Sequence, residues 1–239
     1  MSFGAIDAEP QSLIDPRDPR AIPMPYLRTA ALGLALVDDD ARVLLVGLGG
    51  GGFLAATDAW PKARVTAVEI DPVVVSLARA HFALDARRTE RVVVDDGRAF
   101  LQRGAESGRA PWDLVLLDAY AGDDVPSALA DDAFFALVAG RLAKTGVLVV
   151  NLAVEPQAAR DLLVTISRAF DDDVAGVHCL VAAVPEDENL VVLASPRPLS
   201  PAALVDAAAR VDRAARLPFA LAPLADLAIA CGDRLRGRR

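Results

Sequence analysis

The chain is predicted to adopt an α/β fold, a doubly wound sheet that is mostly parallel and finishes with a C-terminal antiparallel hairpin. Three observations predict it. Short uninterrupted apolar runs such as 42–46 (RVLLV) and 113–117 (DLVLL) have the composition of strands buried on both faces. They alternate with helical segments, and that alternation requires parallel strands joined by right-handed crossovers. Two late apolar runs, 178–184 and 190–195, are joined by the short acidic link 185–189, which suits only an antiparallel pair.

Each element follows in order. Residues 1–25 are rich in proline and alternating charge and read as an irregular arm. Residues 25–37 (PYLRTAALGLALV) form a short helix, and 38–40 a polar turn. Strand 42–46 leads into the glycine loop 47–52 and a short helix over 53–60. Strand 64–69 is followed by a helix from Pro72 to about Phe82, with Asp71 as N-cap and Pro72 where its missing N–H does no harm. Strand 91–94, a helix from Gly97 to about Gly104, and strand 113–117 come next. A helix over 131–142 places Phe134, Phe135, Val138 and Leu142 on one face. Thr145-Gly146 is a turn before strand 147–152, and a helix over 155–170 precedes the hairpin. An Ala-rich helix starts near Pro201. The domain organisation expected is the arm (1–25), one α/β domain (26–196) and a C-terminal helical extension (197–239), whose arginine-rich end reads as a solvated tail.

Composition excludes several classes. With 54% hydrophobic and 24% charged residues, the 239-residue chain is built to fold. A net charge of −8 argues against general nucleic-acid binding, which rests on neutralising phosphates. No apolar run reaches the roughly 18–20 residues of a membrane helix, and the N-terminus lacks a signal pattern, so a cytoplasmic location is expected. The two cysteines, Cys179 and Cys231, are expected to be small buried hydrophobes. Two histidines, His81 and His178, and no Cys/His cluster leave no metal site. Trp60 and Trp112 read as packing residues.

The chemistry lies at the ends of four strands. Gly47-Leu-Gly49-Gly-Gly51-Gly52 joins a strand to a helix, where backbone can turn sharply and approach a ligand. Glu69 ends the second strand, 22 positions after Gly47, where a carboxylate can accept from ribose hydroxyls. Asp96-Gly97 follows the third strand; Asp96 can accept from an exocyclic adenine amine and also cap the following helix. Asp118 ends the fourth and is followed by Tyr120 and the acids Asp123 and Asp124. Ligands of such sheets bind outside the carboxyl ends of the strands, so these residues are expected to converge on one crevice.

A parallel sheet closed by an antiparallel hairpin is also the plan of the Rossmann-like class I methyltransferases. The stretches VLLVGLGGGG, VTAVEIDPVVV, VVVDDGRAFL, WDLVLLDAY and TGVLVVN, between Arg42 and Leu152, resemble the polyamine aminopropyltransferase (spermidine synthase) family. The resemblance implies binding of S-adenosylmethionine, its decarboxylated form or the thioether product, the first two as co-substrates. It assigns Gly47, Gly49, Gly51, Glu69, Ile70, Asp96, Gly97 and Asp118 to that compound, Glu69 on the ribose and Asp96 and Gly97 on the adenine. It makes Asp118 the catalytic Asp; Asp118 is expected to act as base or orienting group, with Tyr120 nearby as its catalytic hydrogen-bond partner. The chain departs from the family in three places. Gly50 stands where the glycine loop usually carries an Asp that holds the aminopropyl ammonium. Asp118 is followed by Ala-Tyr-Ala and not by a second acid. Before Tyr26 there are only about 25 residues in place of a β-rich domain, and Arg28 replaces the Glu of a Tyr-x-Glu element. This looks like a shortened branch lacking much of the polyamine site.

Aminopropyl transfer needs a neutral amine nucleophile whose proton a carboxylate takes or orients. Asp123, Asp124, Asp131 and Asp132 could draw in a cation, or serve as loop and cap residues. Three other readings stay open: a methyltransferase using S-adenosylmethionine itself, a dinucleotide oxidoreductase suggested by Gly47-x-Gly49-x-x-Gly52 with Glu69, and a non-catalytic nucleoside-binding homologue. The partner expected is a small-molecule amine or other small acceptor, with neither nucleic acid nor membrane; a homodimer is a further open expectation.

Overall fold

The computed structural model describes residues 12–18, 20–86, 91–120, 125–170 and 177–235. Asp123, Asp124 and the arginines at 236, 238 and 239 lie outside the described residues.

Strands β1 (Arg42–Val46), β2 (Arg64–Glu69), β3 (Arg91–Val94), β4 (Trp112–Leu117) and β5 (Leu142–Leu152) form the parallel half of one sheet. Strands β6 (Cys179–Ala183), β7 (Leu190–Ala194) and β8 (Ala228–Ala230) complete it in antiparallel sense, in the order β3-β2-β1-β4-β5-β7-β6-β8. The fold expected from the sequence is borne out. Its strands bury both faces, with successive residues going to opposite sides. Val43 and Leu45 of β1 pack into one core and Leu44 and Val46 into the other.

The helices divide between those two cores. On the first lie α1 (Pro25–Ala30), α2 (Gly52–Thr57), α3 (Pro72–His81), α7 (Pro201–Arg213) and α8 (Ala222–Ala225). The second core packs α4 (Gly97–Glu106), α5 (Asp132–Arg141), α6 (Pro156–Phe170) and α9 (Cys231–Leu235). Phe134 and Phe135 of α5, fully buried and edge-to-face at 5.5 Å, anchor it. Trp60 and Trp112 are buried packing residues, and the Arg42 guanidinium lies 4.6 Å from the Trp112 ring. Short carboxylate caps start three helices: Asp71 accepts from the Val73 amide, Asp96 from Ala99 and Asp131 from Phe134.

Four local expectations change. The helix over 25–37 breaks into α1 and a tighter 3₁₀ stretch, Ala31–Leu36, where Gly33 lies so close to β5 that a Cβ would stand 2.4 Å from Val149 Cγ2. Thr145-Gly146 does not end an element. It falls within β5 at a register shift, where Trp112 pairs Leu142 and Leu114 pairs Val147. The C-terminal segment, expected to be helical, also contributes β8 against β6. That pairing brings Cys231 to Cys179, Cα–Cα 5.5 Å, and the two form a disulfide. The cysteines are buried as expected, but they are bonded and not free, because a strand invisible in the sequence pattern carries one to the other.

The bridge spans a separation of 52 residues, and loop-closure entropy for such a ring stabilises the fold by about 4 kcal/mol. A reductant is therefore expected to lower the thermal midpoint of the wild type by several degrees and to leave that of a Cys179→Ser/Cys231→Ser double variant unmoved. Equal midpoints for the wild type with and without reductant would remove this role.

Candidate functional site

The sheet reverses its winding between β1 and β4: the chain leaving β1 crosses to β2, and the chain leaving β4 crosses to β5 on the other side. Diverging connections open a crevice at the carboxyl ends. A cavity of about 640 Å³ lies there, lined by the glycine loop, Glu69, Ile70, Asp96, Gly97, Asp118 and Tyr120. Its size is within the roughly 300–1,000 Å³ of small-molecule sites. The structure thus brings every residue of the expected cofactor set into one cavity.

The glycine loop is fixed by backbone contacts. Gly47, Gly49 and Gly51 all take positive φ. Gly47 is the demanding one: at φ +93° a Cβ would stand 2.1 Å from the Asp118 carbonyl oxygen. Glu69, 9% exposed, braces the loop from below; one carboxylate oxygen accepts from the Leu48 amide at 3.0 Å, the other from the Asp71 amide at 3.1 Å. Each oxygen retains capacity for a second donor. Gly50 donates its amide to Ser12 Oγ at 2.9 Å, and a Cβ on it would meet the Phe82 ring at 2.6 Å.

Asp96 spends Oδ1 on the Ala99 amide at 2.8 Å and leaves Oδ2 without a hydrogen bond among the described residues. Gly97 owes its missing side chain to packing, since a Cβ would lie 2.5 Å from Val46 Cγ1. Ile70, 68% exposed, offers an apolar surface at the cavity wall beside Glu69.

Asp118 sits at the centre of a network of neutral donors. Tyr26 of α1 donates its hydroxyl to Oδ2 at 3.0 Å, and Asn151 of β5 donates Nδ2 to Oδ1 at 2.9 Å. Burial raises the carboxyl pKa, and these two hydrogen bonds only partly oppose it. Burial first, then the Asp118 charge, raises the Tyr26 and Tyr120 phenols as well, so both remain protonated donors. Tyr120 is not the Asp118 partner expected. It donates to the Asn151 carbonyl at 2.6 Å and accepts from the Ala153 amide at 2.8 Å, because the turn after β4 carries its ring to the end of β5. The phenol on Asp118 is Tyr26.

The two described acids of the expected cation-drawing set, Asp131 and Asp132, lie outside the cavity lining. Asp131 caps α5 and pairs with Arg98 at 2.8 Å; Asp132 is exposed. His81 is exposed, and His178 is buried with Nδ1 3.0 Å from the Ser195 carbonyl oxygen, both away from the cavity lining. Sequence reasoning missed Asn151, Asp187 and Asn189 in the lining. A signal existed for the first: Asn151 is a polar residue in the apolar run VLVVNL, at the carboxyl end of a parallel strand. Among the described residues no group of acids, histidines or cysteines is arranged to hold a metal, and no helix is long and apolar enough to cross a membrane.

Residues 29–197 match the family model of the spermine/spermidine synthase domain, more than two thirds of the chain. The chain belongs to this family. A polyamine aminopropyltransferase of Vibrio vulnificus is 36% identical over 138 residues, covering 57% of this chain and 46% of that protein. An eEF1A lysine and N-terminal methyltransferase homologue of Drosophila melanogaster is 45% identical over 84 residues, 34% of this chain and 12% of the relative. The chain thus spans about half, or less, of these curated relatives. Among solved structures, human methyltransferase-like protein 13 in complex with SAH superimposes with a TM-score of 0.70 at 24% identity, covering 82% of this chain and 94% of the other. The fold of this family member is that of the class I methyltransferases, and its relatives are transferases of both kinds.

The raised pKa of Asp118 has a consequence for stability. The unfolded carboxyl ionises near about 3.9, before the folded one does. Its destabilising cost is absent below that pH, grows up to the higher folded value, and is complete above it. Asp118→Asn, whose oxygen can still accept from Asn151 while its NH₂ donates to the Tyr26 hydroxyl oxygen, is expected to unfold at a higher denaturant concentration than the wild type at pH 7, with the advantage vanishing below about pH 3.9. An advantage that grew on acidification would contradict the raised value.

Proposed function

We propose that this family member transfers an aminopropyl group from decarboxylated S-adenosylmethionine to a neutral amine. The observation that carries the reading is the Asp118 carboxylate: set into the cavity, held by the neutral donors Tyr26 and Asn151, and raised in proton affinity by burial. Such a group is suited to take a proton from an attacking amine.

The residues present fit an adenosyl compound. Glu69 keeps lone pairs for ribose hydroxyls, Asp96 keeps Oδ2 for an adenine amine, and Ile70 offers a face for the ring. When bound, the sulfonium supplies an electrophilic carbon and a neutral thioether leaving group. The amine nitrogen forms its bond to that carbon as the carbon–sulfur bond breaks, and the electron pair stays on sulfur. Asp118 accepts the proton the nitrogen sheds. Tyr26 and Asn151 hold the carboxylate in place, and Tyr120 fixes the end of β5 that carries Asn151. The exposed Asp187 at the cavity lining adds negative charge favourable to a cationic acceptor.

A second reading, methyl transfer from S-adenosylmethionine to an amine, is favoured by Gly50. With the Phe82 ring 2.6 Å from where its Cβ would be, the loop has no room there for an acid that holds an ammonium tail. The Drosophila relative is named as a methyltransferase.

Purified protein given each donor with putrescine, and products separated by chromatography, tests both. The first reading expects methylthioadenosine from the decarboxylated donor, falling about 100-fold or more in Asp118→Asn. S-adenosylhomocysteine formed from the carboxylated donor alone would replace it with the second. Turnover unchanged in Asp118→Asn would remove the role given to Asp118.

A further inference from the structure

We propose that Asn189, on the turn between β6 and β7, is a positioning residue that locks the Asn151 amide with its NH₂, and not its oxygen, toward Asp118. The inference deepens the proposed function, since it concerns the carboxylate taken there as the proton acceptor.

Three side chains stand in series. Asn189 Nδ2 donates to Asn151 Oδ1 at 3.0 Å, and Asn151 Nδ2 donates to Asp118 Oδ1 at 2.9 Å. Asn151 is 3% exposed, so its amide cannot exchange these partners for water without cost. Its backbone is pinned too, through the β5–β7 ladder opposite Val191 and through the carbonyl that accepts from Tyr120. Only the amide orientation is left to choose, and a donor on its oxygen decides it. The turn that carries Asn189 is itself tied: the Asn189 carbonyl accepts from the Val184 amide at 3.1 Å, and the Asn189 amide donates to Asp187 Oδ1 at 3.3 Å.

The lock matters most when Asp118 is protonated. A carboxylic acid could donate its proton to an amide oxygen, so a free Asn151 would turn to accept it and stabilise the neutral acid. With Asn189 in place that turn sets two NH₂ groups face to face unless the Asn189 amide turns as well, so two side chains must reverse together. The lock therefore favours the ionised carboxylate, against the burial that disfavours it. The titratable groups around Asp118 are Tyr26 from α1, Tyr120 from the turn after β4 and Asp187 from the β6–β7 turn; the leucine variant used in the test alters none of these.

The test is the titration of the Asp118 carboxyl by carbon-13 NMR in ligand-free protein. Asn189→Leu, which cannot donate, is expected to raise its midpoint by about one pH unit. Asn189→Asp, which accepts from Asn151 and turns the amide round, is expected to raise it by more than the same substitution does in an Asn151→Leu background, where only its added charge acts, and being isosteric it serves if the leucine variant fails to fold. In an Asn151→Leu background, Asn189→Leu is expected to add nothing, since the coupling runs through that amide. A wild-type midpoint in Asn189→Leu or Asn189→Asp, or an equal leucine shift in the Asn151→Leu background, would overturn the proposal. Because no substrate is present, absence of turnover would sink the proposed reaction and leave this result standing.

Discussion

At the middle of the sheet, β1 and β4 end side by side, and the chain beyond them has no space for a side chain. Gly47 amide bonds to the Val68 carbonyl and Asp118 amide to the Val46 carbonyl, each at 2.9 Å, carrying the parallel ladder one residue past the strand ends. At that point Gly47 turns into positive φ against the Asp118 backbone, with room for a hydrogen only. The geometry of the site follows from this contact. It fixes the glycine loop and the Asp118 carboxylate relative to each other through main chain, the least adjustable part of the molecule. It also lies where the two connections diverge to opposite faces of the sheet, so the space between them remains open.

Around that contact the acids divide their work. Glu69 has both oxygens on backbone amides and so braces the loop while retaining capacity for a ligand; Asp96 divides itself between a helix cap and the cavity. Among the described residues Asp118 has no backbone donor to its carboxylate, which rests on side chains from α1 and β5. Its proton affinity is therefore adjustable by side chains remote in sequence, while Glu69 and Asp96 are held by backbone amides. The N-terminal segment contributes at the other end, where Ser12 takes the Gly50 amide and Arg28 ties the preceding turn through the Ile22 and Pro23 carbonyls.

What could be read from the sequence was local and periodic. The strand runs, the glycine loop and the acids at strand ends are consecutive residues with a fixed relation to the backbone, and they stand in the structure where those relations put them. What could not be read depends on side chains meeting across the fold. Tyr26 reaches Asp118 over 92 positions, and Asn189 reaches Asn151 over 38. Tyr120, only two residues from Asp118, turns away from it because β5 offers both a carbonyl and an amide to its hydroxyl. The strand β8 is three residues long, too short for a period to register, and the disulfide depends on it.

The proposed function puts a single adenosyl compound in the crevice, with its ribose at Glu69, its base at Asp96 and its sulfur next to Asp118. A crystal structure of the protein with methylthioadenosine tests it most directly. One nucleoside is expected in that orientation, with the sulfur within about 4–5 Å of the Asp118 carboxylate. A nucleoside bound in the reverse sense, or bound away from the strand ends, would contradict it.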